Sequence, residues 1–494
     1  MRRKKFILNT FTALLNQFVM VVCAFILPRL ILNTFGSETN GLVSSVQQFL
    51  AVISFMELGV GAVVQASLYK PLAEKNKEQV SKIIVSATKF FRKLAIIMLL
   101  YTMTLLVVYP VITHHEFSLE YVDTLILAMS ISYFAQYYFG LRNQLLLIAD
   151  QKGYIHYGLN TVSIIMNNLL GAFLITSGQS IQVVKLCTSL ILLFRPVALE
   201  IYVRKHYELN YSIQYSDEPI AQKWNGVAQH IATVVLNSTD TIVLTLFSSF
   251  SNVSIYNVYY LVINGLNNLV ISLTSGFQSM IGNMLSKKES KLISDVFSWY
   301  ESLFHFAVTF IYGCVILLIV PFVLVYTKEV KDMNYNVPAF ASLIAVANMM
   351  YCIRLPYNTI IKAAGHFKQT QNSAWIEMVI NIVISVLVVS KYGLIGVAVG
   401  TLSAMTYRTL YLVNYLSNNI IFRKQYYFFK HLAIDAICIG CAIYFYNIFE
   451  LTTLTFSSWI ILALKKGIVY LLLCSVLNLF FFRKQIIGFN DKEI

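Results

Sequence analysis

The chain has 494 residues, of which 57% are hydrophobic and 12% are charged. Soluble domains carry about 25% charged residues, so this composition excludes an ordinary soluble protein. The formal net charge is +14, but the Lys and Arg residues lie in short segments between long apolar runs. A nucleic-acid-binding domain gathers such charge into one soluble patch, and this class is excluded as well. The composition predicts an integral membrane protein.

Fourteen apolar segments predict transmembrane helices, which keep their backbone hydrogen bonds internal as a bilayer requires. In chain order they are 9–32, 42–64, 89–112, 121–147, 157–177, 180–202, 227–249, 255–282, 299–326, 338–362, 374–390, 393–416, 431–449 and 456–482. No cleavage site follows the basic start of the chain, so the first segment is interpreted as an uncleaved helix. The connections on one side hold 26 Lys and Arg, and those on the opposite side hold three. This split predicts that both termini are cytoplasmic.

The connections are too short for a catalytic domain, and they contain no GxxxxGK[ST] phosphate-binding loop. The seven cysteines lie in apolar runs and lack the spacing of a zinc site. The cluster His114–His115–Glu116 lacks a third ligand within reach in the sequence. We therefore expect no enzymatic activity, no metal and no cofactor. A membrane-bound polysaccharide polymerase or lipid-linked glycosyltransferase is the enzymatic alternative.

Comparing the chain with itself reveals an internal repeat. Arg142 and Arg354 are 212 residues apart, and Arg195 and Arg408 are 213 apart. Between residues 168 and 202, eight of 35 positions are identical to those 213 residues later. The repeat predicts that the first six helices resemble the next six.

A half of six helices begins and ends on the same side of the membrane, so the two halves form a parallel duplication. The predicted parts are an N-terminal half at 1–210, a C-terminal half at 211–420, and two additional helices with a tail at 421–494. Two such halves around a central cleft are typical of transporters in which one half rocks against the other. The alternative is that the duplication reflects gene history alone.

Eight cationic side chains fall inside the predicted spans, where a charge is costly and usually faces a wet cavity or a partner. Four of them are the repeated arginines Arg142, Arg195, Arg354 and Arg408. A guanidinium stays charged and binds phosphate oxygens bidentately. We therefore predict that these four arginines, together with Arg29, contact an anionic cargo such as a pyrophosphate. The alternative is that they reach the membrane interface or bind backbone carbonyls.

Two acids and two lysines complete the set of candidate residues. Glu57 and Asp240 lie centrally in their predicted spans, and each is a candidate for binding a coupling cation or for a structural ion pair. Lys465 and Lys466 lie in the middle of the last span. We predict that they meet a lipid phosphate, unless the span is irregular there.

Several segments resemble polysaccharide flippases of the Wzx type. The run NTFGSETNGL at 33–42 resembles the loop after their first helix. MELGVG at 56–61 and LYKPL at 68–72 look like their second helix and the following loop. NSTDTIVL at 237–244 and VSIYNVY at 253–259 look like their seventh helix and the entry to the eighth.

The resemblance implies the multidrug/oligosaccharidyl-lipid/polysaccharide exporter (MOP) superfamily, with an all-α fold like that of MATE transporters. It implies that the cargo is an undecaprenyl-pyrophosphate-linked oligosaccharide, moved from the cytoplasmic to the outer leaflet of a bacterial cytoplasmic membrane by alternating access. It also implies that cavity cations, here Arg29 and the repeated arginines, meet the pyrophosphate. Other polysaccharide-assembly membrane proteins are the expected partners. Two alternatives remain, a cation-coupled drug antiporter of the same superfamily and a lipid II flippase.

Overall fold

The computed structural model describes residues 2–57, 59–113, 117–220, 227–286 and 290–487, and helix is the only regular secondary structure among them. The cluster His114–His115–Glu116 lies outside the described residues. Residue contacts divide the chain into two compact units, Met1–Ser238 and Thr239–Ile494. Nine of the described helical stretches are long and apolar enough to cross a membrane. The protein is therefore a multi-pass membrane protein.

The first unit contains eight complete helices in the part of the chain that the structure describes. They are α1 (Arg2–Ala51), α2 (Val60–Ala73), α3 (Lys77–Ile112), α4 (Leu119–Ala135), α5 (Leu141–Ala149), α6 (Gly153–Thr176), α7 (Ile181–Leu192) and α8 (Phe194–His206). A 3-10 turn at Val52–Glu57 precedes α2, and a π turn at Gln136–Gly140 joins α4 to α5. Helix α9 (Val227–Phe247) crosses the boundary between the units.

The second unit continues with eight more described helices. They are α10 (Phe250–Ser286), α11 (Ser290–Tyr326), α12 (Pro338–Ile353), α13 (Leu355–Ala363), α14 (Phe367–Tyr392), α15 (Leu394–Asn419), α16 (Tyr426–Tyr444) and α17 (Phe456–Ile487). Each of the fourteen predicted segments coincides with helix within the described residues, so the predicted all-helical membrane fold is confirmed.

Glycine positions explain where the predicted boundaries of the first two helices are wrong. The sequence predicts an end near residue 32, whereas α1 continues to Ala51 and turns at Gly36, whose φ is 83°. The second predicted helix, at 42–64, is interrupted where Gly59 takes a φ of 72° at the start of α2. Both φ values lie in the left-handed region, which glycine adopts without the steric cost that a side chain brings.

The basic connection predicted at 65–93 is mostly helical, because α2 extends to Ala73 and α3 begins at Lys77. Lys, Glu, Gln and Ala are good helix formers and continue a helix beyond the apolar span. Asn76 starts α3 by accepting a hydrogen bond from the Gln79 backbone N–H at 2.9 Å. Hydropathy alone therefore located the span and missed the helix that extends from it.

Helices α14 and α15 pack closely in the second unit because glycines lie between them. A Cβ placed on Gly396 would lie 2.6 Å from the Val389 backbone nitrogen. One placed on Gly400 would lie 2.1 Å from the Ser385 hydroxyl and 2.9 Å from the Ser385 backbone nitrogen. Small residues four apart are a common device for bringing membrane helices together. The close approach holds polar groups of α14 and α15 against each other.

The additional helices α16 and α17 pack on α11. Ile434, Cys438, Tyr470 and Phe482 form a buried apolar cluster with Leu317 of α11. A Cβ on Gly313 would lie 2.1 Å from the Tyr470 ring, and the Tyr470 hydroxyl donates a hydrogen bond to the Thr309 carbonyl at 3.2 Å. The last two helices are therefore an integral part of the second unit.

Candidate functional site

The four repeated arginines lie next to breaks in their helices, with one exception. Arg142 follows the π turn, and Arg354 lies at the junction of α12 and α13. Arg195 is the second residue of α8, just after the junction with α7, whereas Arg408 lies within the uninterrupted α15. Pro356 follows Arg354 in the first turn of α13, a position that tolerates proline because that N–H has no partner within the helix.

Arg142 is held in the first unit by a buried ion pair. Its Nη2 donates to Glu200 Oε2 at 2.7 Å and its Nη1 to Thr88 Oγ1 at 3.0 Å. Asn143 donates to the same Glu200 oxygen at 2.7 Å, and Arg204 donates to the other at 2.7 Å. The charge of Arg142 is therefore neutralised within its own unit.

Arg354 is held in the same way in the second unit. Its Nη1 donates to Glu377 Oε1 of α14, and its guanidinium lies 4.8 Å from the centre of the Tyr351 ring. Both members of the pair are buried, with side chains 8% and 3% exposed. A buried ion pair loses much stability when one partner is removed, because the other charge is left without compensation. Arg142 and Arg354 therefore have structural partners that fully account for their presence.

Arg195 is bound by amides and makes no ion pair in the described part of the chain. Its Nη1 donates to Asn160 Oδ1 at 3.0 Å and its Nη2 to Gln144 Oε1 at 2.6 Å. The Nε atom is buried without a hydrogen-bond partner among the described residues. The amides orient the guanidinium but leave its charge uncompensated.

Arg408 goes further, since it makes neither a hydrogen bond nor an ion pair with the residues that the structure describes. Its side chain is 4% exposed and its Nη1 is buried without a partner. Glu377 lies within electrostatic reach but donates its contact to no group of Arg408; its oxygen accepts from Arg354 instead. Lys362 and Arg354 are like charges nearby. Arg408 is thus a buried cation in a locally positive environment.

The internal repeat explains how Arg408 lost the partners that Arg195 has. The residue 212 positions after Gln144 is Pro356, which has no side-chain acceptor. The counterpart of Asn160 is Asn372, which is exposed. Two of the repeated arginines are therefore paired with carboxylates and two are not, and the unpaired ones, Arg195 and Arg408, occupy equivalent positions in the two halves.

Asp240 lies in a polar cluster of the second unit that the sequence did not reveal as a whole. Thr401 Oγ1 lies 2.7 and 2.9 Å from the two Asp240 oxygens, and the Tyr256 hydroxyl donates to Oδ2 at 3.0 Å. Asn381 Nδ2 donates to Thr401 Oγ1 at 3.0 Å. We name Asp240, Tyr256, Asn381 and Thr401 the Asp240 cluster. Its carboxylate is 2% exposed and has no cationic partner in the described residues.

Oxygen atoms without hydrogen-bond partners border the Asp240 cluster on α14. Asn381 Oδ1 and Ser385 Oγ are both buried and unsatisfied within the described residues. A carboxylate with amide and hydroxyl oxygens is a hard-oxygen set, the kind that binds cations of the alkali and alkaline-earth type. No group of three or more His, Cys, Asp or Glu that could hold a metal is found among the residues searched, so the set offers one full negative charge, which suits a monovalent cation or a proton.

The first half repeats the neutral part of this cluster without the acid. Asn168 and Thr188 lie 213 residues before Asn381 and Thr401. In the structure Asn168 Nδ2 donates to the Ile164 carbonyl at 3.0 Å, and Thr188 Oγ1 donates to the Lys185 carbonyl at 3.2 Å. The carboxylate is therefore what distinguishes the second unit.

The remaining candidates are placed as follows. Glu57 ends the 3-10 turn before α2, where its Oε1 would lie 2.8 Å from a Cβ on Gly61. Arg29 is half-buried on α1, next to Pro28. Neither shares a printed contact with the repeated arginines or the Asp240 cluster, and the predictions for both residues stay predictions.

The two lysines of the last span differ from each other. Lys466 is buried and donates to the Tyr446 carbonyl at 2.6 Å and to the Leu317 carbonyl at 3.5 Å. Lys465 is exposed beside a recess lined by Glu450, Thr452 and Thr455. Carbonyl contacts satisfy the Lys466 ammonium group. The predicted lipid-phosphate contact stays a prediction, and Lys465 is the more accessible of the two.

The segment after α8 covers the polar end of the first unit. Lys77 Nζ lies 2.5 Å from Glu208 Oε2, and this contact lowers the pKa of Glu208. Burial and a hydrogen bond to Asp150 raise the pKa of Tyr207. The Tyr211 ring lies 5.7 Å from the Arg142 guanidinium. The segment thus closes over the Arg142 ion pair.

Comparison with known proteins gives matches in structure alone. A scan against protein-family models finds no match. A search of curated proteins likewise finds no similar sequence. An inward-facing multidrug resistance MATE family transporter of the MOP superfamily is similar with a TM-score of 0.65 and 12% identity, covering 81% of this chain and 95% of that one.

Two further solved structures show the same similarity. The Vibrio cholerae MATE transporter VcmN in its bent form gives a TM-score of 0.53 at 14% identity, covering 88% of this chain and 98% of that one. The eukaryotic MATE transporter AtDTX14 gives 0.54 at 12% identity, covering 90% and 100%. The chain therefore has the fold of the MATE transporters of the MOP superfamily.

Proposed function

We propose that the protein is a MOP-superfamily transporter that moves an undecaprenyl-pyrophosphate-linked oligosaccharide from the cytoplasmic to the outer leaflet of a bacterial cytoplasmic membrane. The single observation that carries this proposal is that Arg195 and Arg408, at equivalent positions of the two halves, are embedded cations without a carboxylate partner in the described residues. Both termini are cytoplasmic in this proposal, and transport occurs by alternating access.

The physical reason is the cost of an uncompensated charge away from water. An unpaired buried guanidinium is unfavourable by several kcal/mol, and such groups in membrane spans are usually functional. An anionic cargo supplies the missing counter-charge during transport. A pyrophosphate group offers several oxygens that match the planar fork of arginine.

The Asp240 cluster supplies the coupling step in this proposal. A buried carboxylate with hydroxyl and amide neighbours binds a proton or a monovalent cation, and binding neutralises its charge. A ligand shifts an equilibrium between two conformations only if it binds them with different affinity. We therefore assign the driving force to a cation that occupies the cluster in one conformation and leaves it in the other.

A drug antiporter of the same superfamily is the second candidate, favoured by the buried acid at Asp240 and by the multidrug transporter among the structural neighbours. Cationic drugs require acidic contacts, whereas the two unpaired repeated groups are arginines. Lipid II has the same polyprenyl pyrophosphate as the first candidate, and its flippase is the third.

Deletion of the gene in its host, with complementation by the wild-type chain, separates the candidates. Loss of surface polysaccharide that the wild-type gene restores, with unchanged drug susceptibility, is expected. Increased drug susceptibility with normal surface sugar would contradict the proposal and favour the antiporter. Accumulation of lipid II in the inner leaflet, with normal surface polysaccharide, would instead identify the lipid II flippase.

A further inference from the structure

Outside the residues used above, the second unit encloses two histidines and two acids where α16 packs on α11. His305 Nδ1 lies 2.6 Å from Asp435 Oδ2, and Thr309 donates to the other Asp435 oxygen at 2.7 Å. The His431 ring stacks on the His305 ring with centres 4.9 Å apart. All three titratable side chains, and Glu301 beside them, are at most 2% exposed.

The hydrogen bonds fix which nitrogen of each ring is protonated. An ionised carboxylate only accepts, so the Nδ1 of His305 is the donor to Asp435. The Ser302 hydroxyl donates to the Ser298 carbonyl at 2.9 Å, so it accepts from His431 Nε2 at 3.3 Å. The other nitrogens, His305 Nε2 and His431 Nδ1, are buried without a partner among the described residues. In the neutral rings these two are basic lone pairs.

The enclosed charges do not balance when both rings are neutral. Asp435 and Glu301 are two negative charges, and the one cation in close contact with them is Arg423, whose Nη2 lies 2.5 Å from Glu301 Oε2. Lys430 is half-buried, with its ammonium on the Phe481 carbonyl and over the Phe482 ring. A buried charge without compensation is unfavourable, so one additional proton would make the enclosed group neutral.

We propose that His305, His431, Asp435 and Glu301 form a binding site for one proton, separate from the Asp240 cluster, and that His305 carries the proton. His305 is the better acceptor of the two rings because its Nδ1–H already faces the Asp435 carboxylate, which stabilises an imidazolium directly. His431 lies between His305 and Arg423 and is the less favourable position for a second cation. The site joins α11 to α16, so its proton contributes to the attachment of the additional helices.

The surrounding elements contribute no other charge to the site within the described residues. Tyr357 of α13 donates to Glu301, and the Phe482 ring of α17 stacks on His431 at 3.8 Å. Phe428 contacts the edge of the His305 ring at 5.9 Å. The rings are parallel rather than convergent on one point, which suits a proton and not a metal ion.

The test uses the full-length protein in lipid nanodiscs, labelled with ¹⁵N at histidine. We expect one imidazolium signal that persists at about pH 7, above the range in which an exposed histidine is charged. His305→Gln and Asp435→Asn should each remove it, whereas His431→Gln should leave it. His156→Gln is the matched control, since His156 is buried in the first unit beside no carboxylate in the described residues.

Absence of a buried imidazolium in the wild-type protein from about pH 5 to about pH 8 would overturn the proposal. So would a signal that survives Asp435→Asn, since the carboxylate is what holds the proton in place. The wild-type titration needs no variant and decides the question if His305→Gln fails to fold. The result does not depend on any cargo, so it stands or falls separately from the transport function.

Discussion

Arg408→Met should make the purified protein more stable and should abolish most of its export activity. The substitution removes a buried charge that has no hydrogen bond or ion pair in the described residues. Replacing buried charge by a well-packed apolar side chain often stabilises by about 1–4 kcal/mol. The same guanidinium is assigned to the cargo, and loss of a charge-assisted hydrogen bond of about 1.5–3 kcal/mol weakens binding about tenfold to a hundredfold. Thermal unfolding and surface polysaccharide at matched expression measure the two effects.

The controls separate a functional charge from a structural one. Arg354→Met leaves Glu377 without its ion-pair partner and is expected to lower the unfolding temperature. Arg483→Met, the same substitution at an exposed position of α17, should change neither quantity. Arg408→Lys retains the charge and should keep part of the export. A less stable Arg408→Met protein, or one with normal export, would show that Arg408 has a structural role only.

Asp240→Asn should uncouple transport from its driving gradient. The amide keeps the shape of the carboxylate and can still accept from Thr401, so folding is expected to survive. The negative charge that binds the cation is lost, and transport should then be the same with and without the gradient. Uptake of cargo lipid by proteoliposomes under an imposed sodium or proton gradient measures this. The gradient that stimulates the wild-type protein identifies the ion.

Asp295→Asn is the matched control for Asp240→Asn, because Asp295 is exposed on α11. It should leave the gradient response unchanged. Ser385→Ala removes one unsatisfied oxygen beside the cluster and should weaken cation dependence without abolishing it. An Asp240→Asn protein that still responds fully to the gradient would remove the Asp240 cluster from the coupling mechanism.

The positions of the helices were predictable because apolar length dominates in a membrane. Where prediction failed, local backbone chemistry decided the outcome. Gly36 turns α1 without ending it, and Gly59 breaks the following helix. Hydropathy does not register a left-handed backbone conformation, and it does not register helix that continues into a basic segment such as the start of α3 at Lys77.

The repeat predicted which arginines matter but not which of them are paired. Glu200 and Glu377 neutralise Arg142 and Arg354, yet neither acid recurs at the equivalent position of the other half. Each pair joins residues that are distant in the sequence, 58 and 23 residues apart. The substitution of Gln144 by Pro356 between the halves was visible in the alignment, and it was the available sign that Arg408 lacks a partner.

The Asp240 cluster shows the same limit. Asp240 was identified from the sequence as a central acid, whereas Thr401 lies 161 residues away and has no feature that marks it. Close packing of α14 and α15 at Gly396 and Gly400 brings Asn381 to Thr401. The repeat of Asn168 and Thr188 was visible, but its meaning needed the geometry of the second unit.

The measurement that tests the central claim most directly is binding of two lipids to the purified full-length protein by native mass spectrometry. The lipids are undecaprenyl pyrophosphate and uncharged undecaprenol, which share the same chain and differ in the anion. The account predicts that the wild-type protein prefers the pyrophosphate lipid, that the double variant Arg195→Met/Arg408→Met loses this preference, and that Arg483→Met retains it. Equal binding of both lipids by the wild-type protein, or an undiminished preference in the double variant, would contradict the account.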